Sequence, residues 1–141
     1  MKVLHIFRTF FPETTGGIEE VIKNMVLCTK GDDLEIDILT VHSHKNSVIK
    51  DDYSCVYYTK RNFTISHVDF SISCFIKFLR IYQSYDILHF HFPWPFADFF
   101  SYFCSSNIKI VLSYHCDILR NPFLYFFYRP FLYQFLKKVD H

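Results

Sequence analysis

Glycine is scarce: three residues in 141, at positions 16, 17 and 31. A Walker phosphate loop and a G-x-G-x-x-G dinucleotide fingerprint need glycines at spacings that Gly16, Gly17 and Gly31 cannot supply, so both are excluded. A surplus of one charge is missing as well. With 15 basic and 14 acidic residues the formal charge is +1, too weak a field to gather nucleic acid, and no nucleic-acid partner is expected. The cysteines, Cys28, Cys55, Cys74, Cys104 and Cys116, are odd in number and contain no C-x-x-C pair. That pattern supports neither a disulfide framework nor a zinc ribbon, and reduced, buried thiols in a cytoplasmic protein are expected. The apolar residues 1–7 run straight into Arg8 and Pro12 with no cleavage-site pattern, so they are not read as a secretory leader. Residues 122–136 are apolar and aromatic, but Arg129, Pro130 and Gln134 interrupt them, and they fall short of the roughly 20 residues of a membrane span.

What remains is half hydrophobic and 21% aromatic, on a length that suits one domain. Short apolar or β-branched runs alternate with stretches of helical periodicity. Strands are predicted at residues 3–9, 34–41, 55–59, 86–92 and 109–114. Helices are predicted from Ile18 to Gly31, over 71–82, over a short aromatic stretch at 96–104, and over 121–138 with a kink at Pro130. The strand at 109–114 is almost wholly apolar, as expected of one covered on both faces. Strand, helix, strand in repetition predicts an α/β domain: a Rossmann-like parallel sheet with helices on both faces. Val139, Asp140 and His141 read as the approach to a further strand, so the domain is expected to be cut short before a second one.

In such sheets ligands collect at the carboxyl ends of the strands. Three groups fall there. In the loop Pro12-Glu13-Thr14-Thr15-Gly16-Gly17-Ile18-Glu19, the paired glycines either let backbone approach an anion at a helix start or make a tight turn with a threonine cap. His89 and His91, two apart on one strand, share a face. With His115 and Asp117 they offer donors for a metal, although no cysteine or glutamate nearby completes the shell. The stretch Ser113-Tyr114-His115-Cys116-Asp117-Ile118 leaves the last strand with a histidine able to meet a substrate hydroxyl, and Arg120 just beyond is suited to a phosphate or to solvent. Cys116 and His115, being adjacent, point to opposite faces and do not make a nucleophile pair.

Met-Lys-Val-Leu-His-Ile at 1–6, the Gly16-Gly17-Ile18-Glu19 loop, Asp86-Ile-Leu-His-Phe-His91 and Tyr114-His-Cys-Asp-Ile118 occur in order, each at a strand. Together they resemble the N-terminal domain of a family-4 (group 1) retaining glycosyltransferase of the GT-B fold, over essentially the whole chain. The resemblance implies an acceptor-side domain working with a C-terminal domain that grips a nucleotide-sugar donor. It implies transfer with retention to a glycan or lipid-linked saccharide acceptor in cell-surface polysaccharide synthesis, without cofactor or divalent metal. It places Gly16 and Gly17 near the donor phosphates and His115 beside the transferred sugar as the catalytic residue. His91 would line the cleft with His89 packed behind it, and Asp117 and Arg120 would complete the binding set. The family's Glu-x7-Glu motif is absent: no two of Glu13, Glu19, Glu20 and Glu35 are eight apart. Negligible transfer by these residues alone is therefore expected.

Two other readings fit the same residues: a metal-dependent hydrolase built on His89, His91, His115 and Asp117, and a non-catalytic remnant module. The aromatic surplus, with Lys60, Arg61, Lys77 and Arg80, also suggests peripheral contact with the inner face of the cell membrane.

Overall fold

The computed structural model describes residues 1–29, 33–50, 54–116 and 122–140, without the side chains of Pro122 and Leu124. Asp117 and Arg120 lie outside the described residues. The chain runs β1 (Lys2–Ile6), α1 (Gly17–Cys28), β2 (Glu35–His42), β3 (Ser47–Lys50), β4 (Cys55–Lys60), β5 (Phe63–Ile65), β6 (Val68–Phe70), α2 (Ile72–Ile81), β7 (Ile87–Phe92), α3 (Pro95–Asp98), β8 (Lys109–Tyr114) and α4 (Pro122–Leu136). Six strands form one sheet in the order β3-β4-β2-β1-β7-β8, and β5 pairs with β6 as a separate hairpin. All pairings in the large sheet are parallel except β3 with β4. The expected doubly covered parallel sheet is thus present.

Alternation along β1 sorts the two cores. Leu4 and Ile6 face a cluster with Phe78 of α2, Ala97 of α3 and Leu132 and Phe135 of α4. Val3 and Phe7 face the other side, where Ile22 and Val26 of α1 cover Ile36 and Ile38. Successive strands lie on one side of β1 as far as β4. The chain then returns to the other side as β7, so the order reverses between β1 and β7, the place where open sheets of this kind bind ligands.

Several local expectations change. β8 is the edge of the sheet, and Val111, Leu112 and Ser113 are only half-buried, so its apolar run does not mark a strand covered on both faces. The helix predicted over 121–138 is present as α4, with Pro130 inside it. The hairpin β5–β6 turns at Ser66 and His67 with φ of 46° and 66°, a left-handed pair made without glycine or asparagine and therefore invisible to the usual turn signals. Of the thiols, Cys55 and Cys74 are buried, whereas Cys28 and Cys116 are exposed because they fall past the covered ends of α1 and β8.

Asp98 of α3 is buried and accepts a hydrogen bond from the Tyr128 hydroxyl, which ties α3 to α4. Burial raises its pKa to about 7, with the tyrosine bond opposing the rise. Phe78 is fully buried between Tyr82 and Phe100, whose rings lie 5.2 and 4.9 Å away, while Phe126 of α4 is 71% exposed. Phe78→Ala should therefore lower unfolding free energy by about 3–5 kcal/mol in urea titrations. Phe126→Ala should change it by no more than ~0.5 kcal/mol.

Candidate functional site at the switch point

The loop between β1 and α1 is organised by a carboxylate. Glu19 is buried, and its Oε1 accepts hydrogen bonds from the hydroxyls of Thr9 at 2.8 Å and Thr14 at 2.9 Å. The threonines serve this glutamate and not the helix start. Gly16 is the N-cap with extended backbone and no side-chain cap, so the expected threonine cap is absent. The reason for glycine at 16 is space: a Cβ there would stand 2.6 Å from Glu19 Oε2. Gly17 differs, since a Cβ at that position would meet nothing within 4 Å. Both glycines are exposed at the carboxyl end of β1.

The histidines stand on the same sheet face as α1. Register pairs His5 of β1 with His89 of β7, and His91 with Ser113 of β8. Period-two alternation then places His5, His89 and His91 together. They form a hydrogen-bonded chain: His5 Nδ1 to His91 Nε2 at 2.8 Å, and His91 Nδ1 to His115 Nε2 at 3.0 Å. The rings of His91 and His115 stack at 5.4 Å with 12° between their planes. His89 Nε2 is bonded instead to the Ser113 hydroxyl at 2.8 Å. The edge of Phe7 meets His91 at 6.2 Å, joining this chain to the cluster under α1.

Burial corrects one expectation. His91 is 1% exposed and stands behind, whereas His89 and His115 are half-buried. His91 reaches the crevice through His115. The sequence reading also missed His5, at 2% exposure the inner end of the chain. Its signal was slight: a lone polar residue in an apolar strand, opposite a partner that only the β1–β7 register supplies.

Burial lowers the pKa of each member of this group. His5 falls to about 3 and His89 to about 4, with neighbouring histidines adding to the effect of desolvation. His91 is pushed far down, first by burial and then by His5, His89 and His115, and His115 is lowered by burial. The rings are therefore neutral at physiological pH. Ring nitrogens of His5, His89 and His91 lie within 4.8 Å of one another. Those of His5 and His91 already face each other across 2.8 Å as a hydrogen bond, and His89 Nε2 is held by Ser113, so these nitrogens are taken up by partners within the fold. His115 is not in that trio, and Asp117, named in the alternative metal-hydrolase reading, lies outside the described residues.

Neutral burial has a consequence for acid stability. An unfolded histidine takes up its proton near pH 6.5, but the folded rings resist until far lower. Each one therefore contributes stability that is fully present above pH ~6.5 and is lost at up to ~1.4 kcal/mol per pH unit on acidification. Asp98 has the opposite sign: its raised pKa makes the fold hold a proton that the unfolded carboxyl has lost, so its contribution falls as pH rises from about 4 to 7. Three histidines outweigh one aspartate, leaving a net slope of ~3 kcal/mol per pH unit or less between about pH 4 and 6.5. Urea titrations across this range should show stability falling with acid. In Asp98→Asn the fall should be steeper by ~1 kcal/mol per pH unit, because the opposing contribution is gone.

Comparison with known proteins agrees with this geometry. A family model described as Glycosyltransferase Family 4 matches residues 15–141. The chain is 34% identical over 142 residues to O-antigen chain mannosyltransferase C of Escherichia coli, an alignment covering 99% of this chain and 38% of that protein. It is 35% identical over 143 residues to D-rhamnosyltransferase WbpZ of Pseudomonas aeruginosa, covering 99% of this chain and 37% of that protein. The chain thus spans less than two-fifths of the length of these curated relatives. The family match covers most of the chain, which therefore belongs to glycosyltransferase family 4.

Proposed function

We propose that these residues form the acceptor side of an enzyme that transfers a sugar, with retention, from a nucleotide-sugar donor to a glycan or lipid-linked saccharide in cell-surface polysaccharide synthesis. The observation that carries this reading is convergence. The carboxyl ends of β1 and β7 bracket the switch point, β8 lies next to β7, and His91 and His115 are bonded at 3.0 Å across those two strands, while Gly16 and Gly17 open the helix that follows β1. Both relatives are named for manno-configured sugars, D-rhamnose being 6-deoxymannose, so a nucleotide-linked mannose or its 6-deoxy form is the proposed donor class.

The roles follow from the geometry. His115, half-buried and held by His91, meets a hydroxyl of the transferred sugar, a contact of the charge-neutral kind worth ~1 kcal/mol in binding and more where charge develops. The glycine loop acts by close approach and not by charge. Glu19 and Glu20 already occupy the first turn of α1 and offset its positive end. The guanidinium of Arg8 is engaged by the carbonyl of His67, and Lys23 pairs with Glu20 at 3.5 Å. Neutralising the leaving diphosphate is then the work of residues beyond this set, with Asp117 and Arg120 as proposed contributors to binding.

The helix α4 presents Phe123, Phe126, Phe127, Phe131 and Tyr133 to solvent, with Arg129 on the same helix and Lys137 and Lys138 just past its end. Among the described residues no helix is long and apolar enough to cross a membrane. This face is the proposed peripheral contact with a bilayer, in place of one centred on Arg61 and Lys77, which are engaged by Asp69 and by the ring of Tyr57.

Three outcomes test these readings. Incubated with GDP-mannose and a mannoside acceptor, the 141-residue chain should show no turnover above background, and ordinary rates would refute the half-site reading. In the same protein, Gly17→Ala should keep its unfolding midpoint within a few degrees yet weaken nucleotide-sugar binding several-fold in NMR titration, since the added methyl occupies the open space a phosphate needs. For the membrane face, co-sedimentation with anionic vesicles should drop at least about five-fold in Phe126→Ser/Phe127→Ser. Equal sedimentation of both proteins would exclude α4 as the contact.

A further inference from the structure

His115 is the outermost of three imidazoles joined nitrogen to nitrogen, and neutral imidazoles joined this way constrain one another. Each neutral ring has one N–H and one lone pair. In the contact between His5 Nδ1 and His91 Nε2, one nitrogen must carry the proton and the other must not, and the same holds between His91 Nδ1 and His115 Nε2. Because each contact joins a δ nitrogen to an ε nitrogen, only two arrangements satisfy both. Either all three rings carry the proton on Nδ1, or all three carry it on Nε2. A mixed chain would set two N–H groups or two lone pairs against each other in a buried place, where an unmade hydrogen bond is costly.

We propose that His5 and His91 are positioning residues that bind the tautomer of His115 to their own, so that the three rings hold one matching proton arrangement, which decides whether the outer nitrogen donates to a bound ligand or accepts from it. Among the described residues nothing else bonds His115 Nδ1, which makes it the nitrogen through which the chain speaks to the crevice. The same coupling lets a change at the outer end reach the inner end. If a sugar hydroxyl donates to Nδ1, it favours the form with every proton on Nε2; if a ligand oxygen accepts from Nδ1, it favours the reverse. His89 is outside the coupling, since its Nε2 is held by Ser113, and its ring serves as a stacking neighbour 4.5 Å from His91. The low basicity of the buried rings supports the picture, because a protonated member would break the pattern.

That the ligand is a sugar rests on the transferase reading. The lock itself does not, so it is tested without ligand. The chain labelled with 15N at histidine is examined by long-range proton–nitrogen NMR at about pH 8, above the ordinary histidine pKa of ~6.5. The expected result is one tautomer for each of His5, His91 and His115, the same in all three, with nitrogen–nitrogen coupling across both hydrogen bonds. In His91→Phe, His115 should relax to comparable amounts of both tautomers while the rest of the spectrum remains that of a folded protein. Unlike tautomers within the wild-type trio would overturn the proposal, even if the variant failed to fold. So would a His115 tautomer ratio unchanged in a folded His91→Phe. A locked trio in a protein that binds no saccharide would count against the transferase reading alone.

Discussion

The reversal of strand order between β1 and β7 is the constraint on which the site depends. At that point neighbouring strands send their following loops to opposite sides, so the carboxyl ends of β1 and β7 cannot be covered by the same connection. The chain fills the gap with what ends those strands: a glycine pair leading into α1 and a histidine pair closing β7. The next strand, β8, lies beside β7 and adds His115. The crevice therefore follows from chain topology, and the residue types in it determine what it can hold.

Those residues are polar groups kept in a largely apolar setting, and each is matched to a partner. Glu19 is buried at the start of a helix with two threonine hydroxyls on one oxygen. His5 and His91 are buried with one another and with His115, and Trp94 Nε1 donates to the carbonyl of Asp69. Matching of this kind contributes little net stability, because water offered the same bonds to the unfolded chain. It supplies fixed geometry, which matters more wherever a hydroxyl is recognised by the direction of the donor or acceptor that meets it. The same matching makes the fold sensitive to acid, because any proton added to the buried rings must break a bond already made.

Where the fold was legible, periodicity carried the information. β8 at residues 109–114 coincides with its apolar run, and α2 falls within the helix predicted over 71–82, where the Ser71 hydroxyl accepts from the Cys74 amide as its cap. The missed elements were those whose formation depends on a partner. β3 is an exposed four-residue strand held by β4, and the β5–β6 hairpin turns on Ser66 and His67, residues with no intrinsic preference for left-handed backbone.

The sequence by itself settled that strands and helices alternate, that no glycine-rich nucleotide loop exists, and that His89 and His91 share a face, because these depend only on spacing along one chain. Tertiary structure decided which histidine is buried, which of them bond, and that His5 is one of them. That decision required the register of β1 against β7 and of β7 against β8, and register is fixed by the fit of two core faces at once, a property no single strand carries.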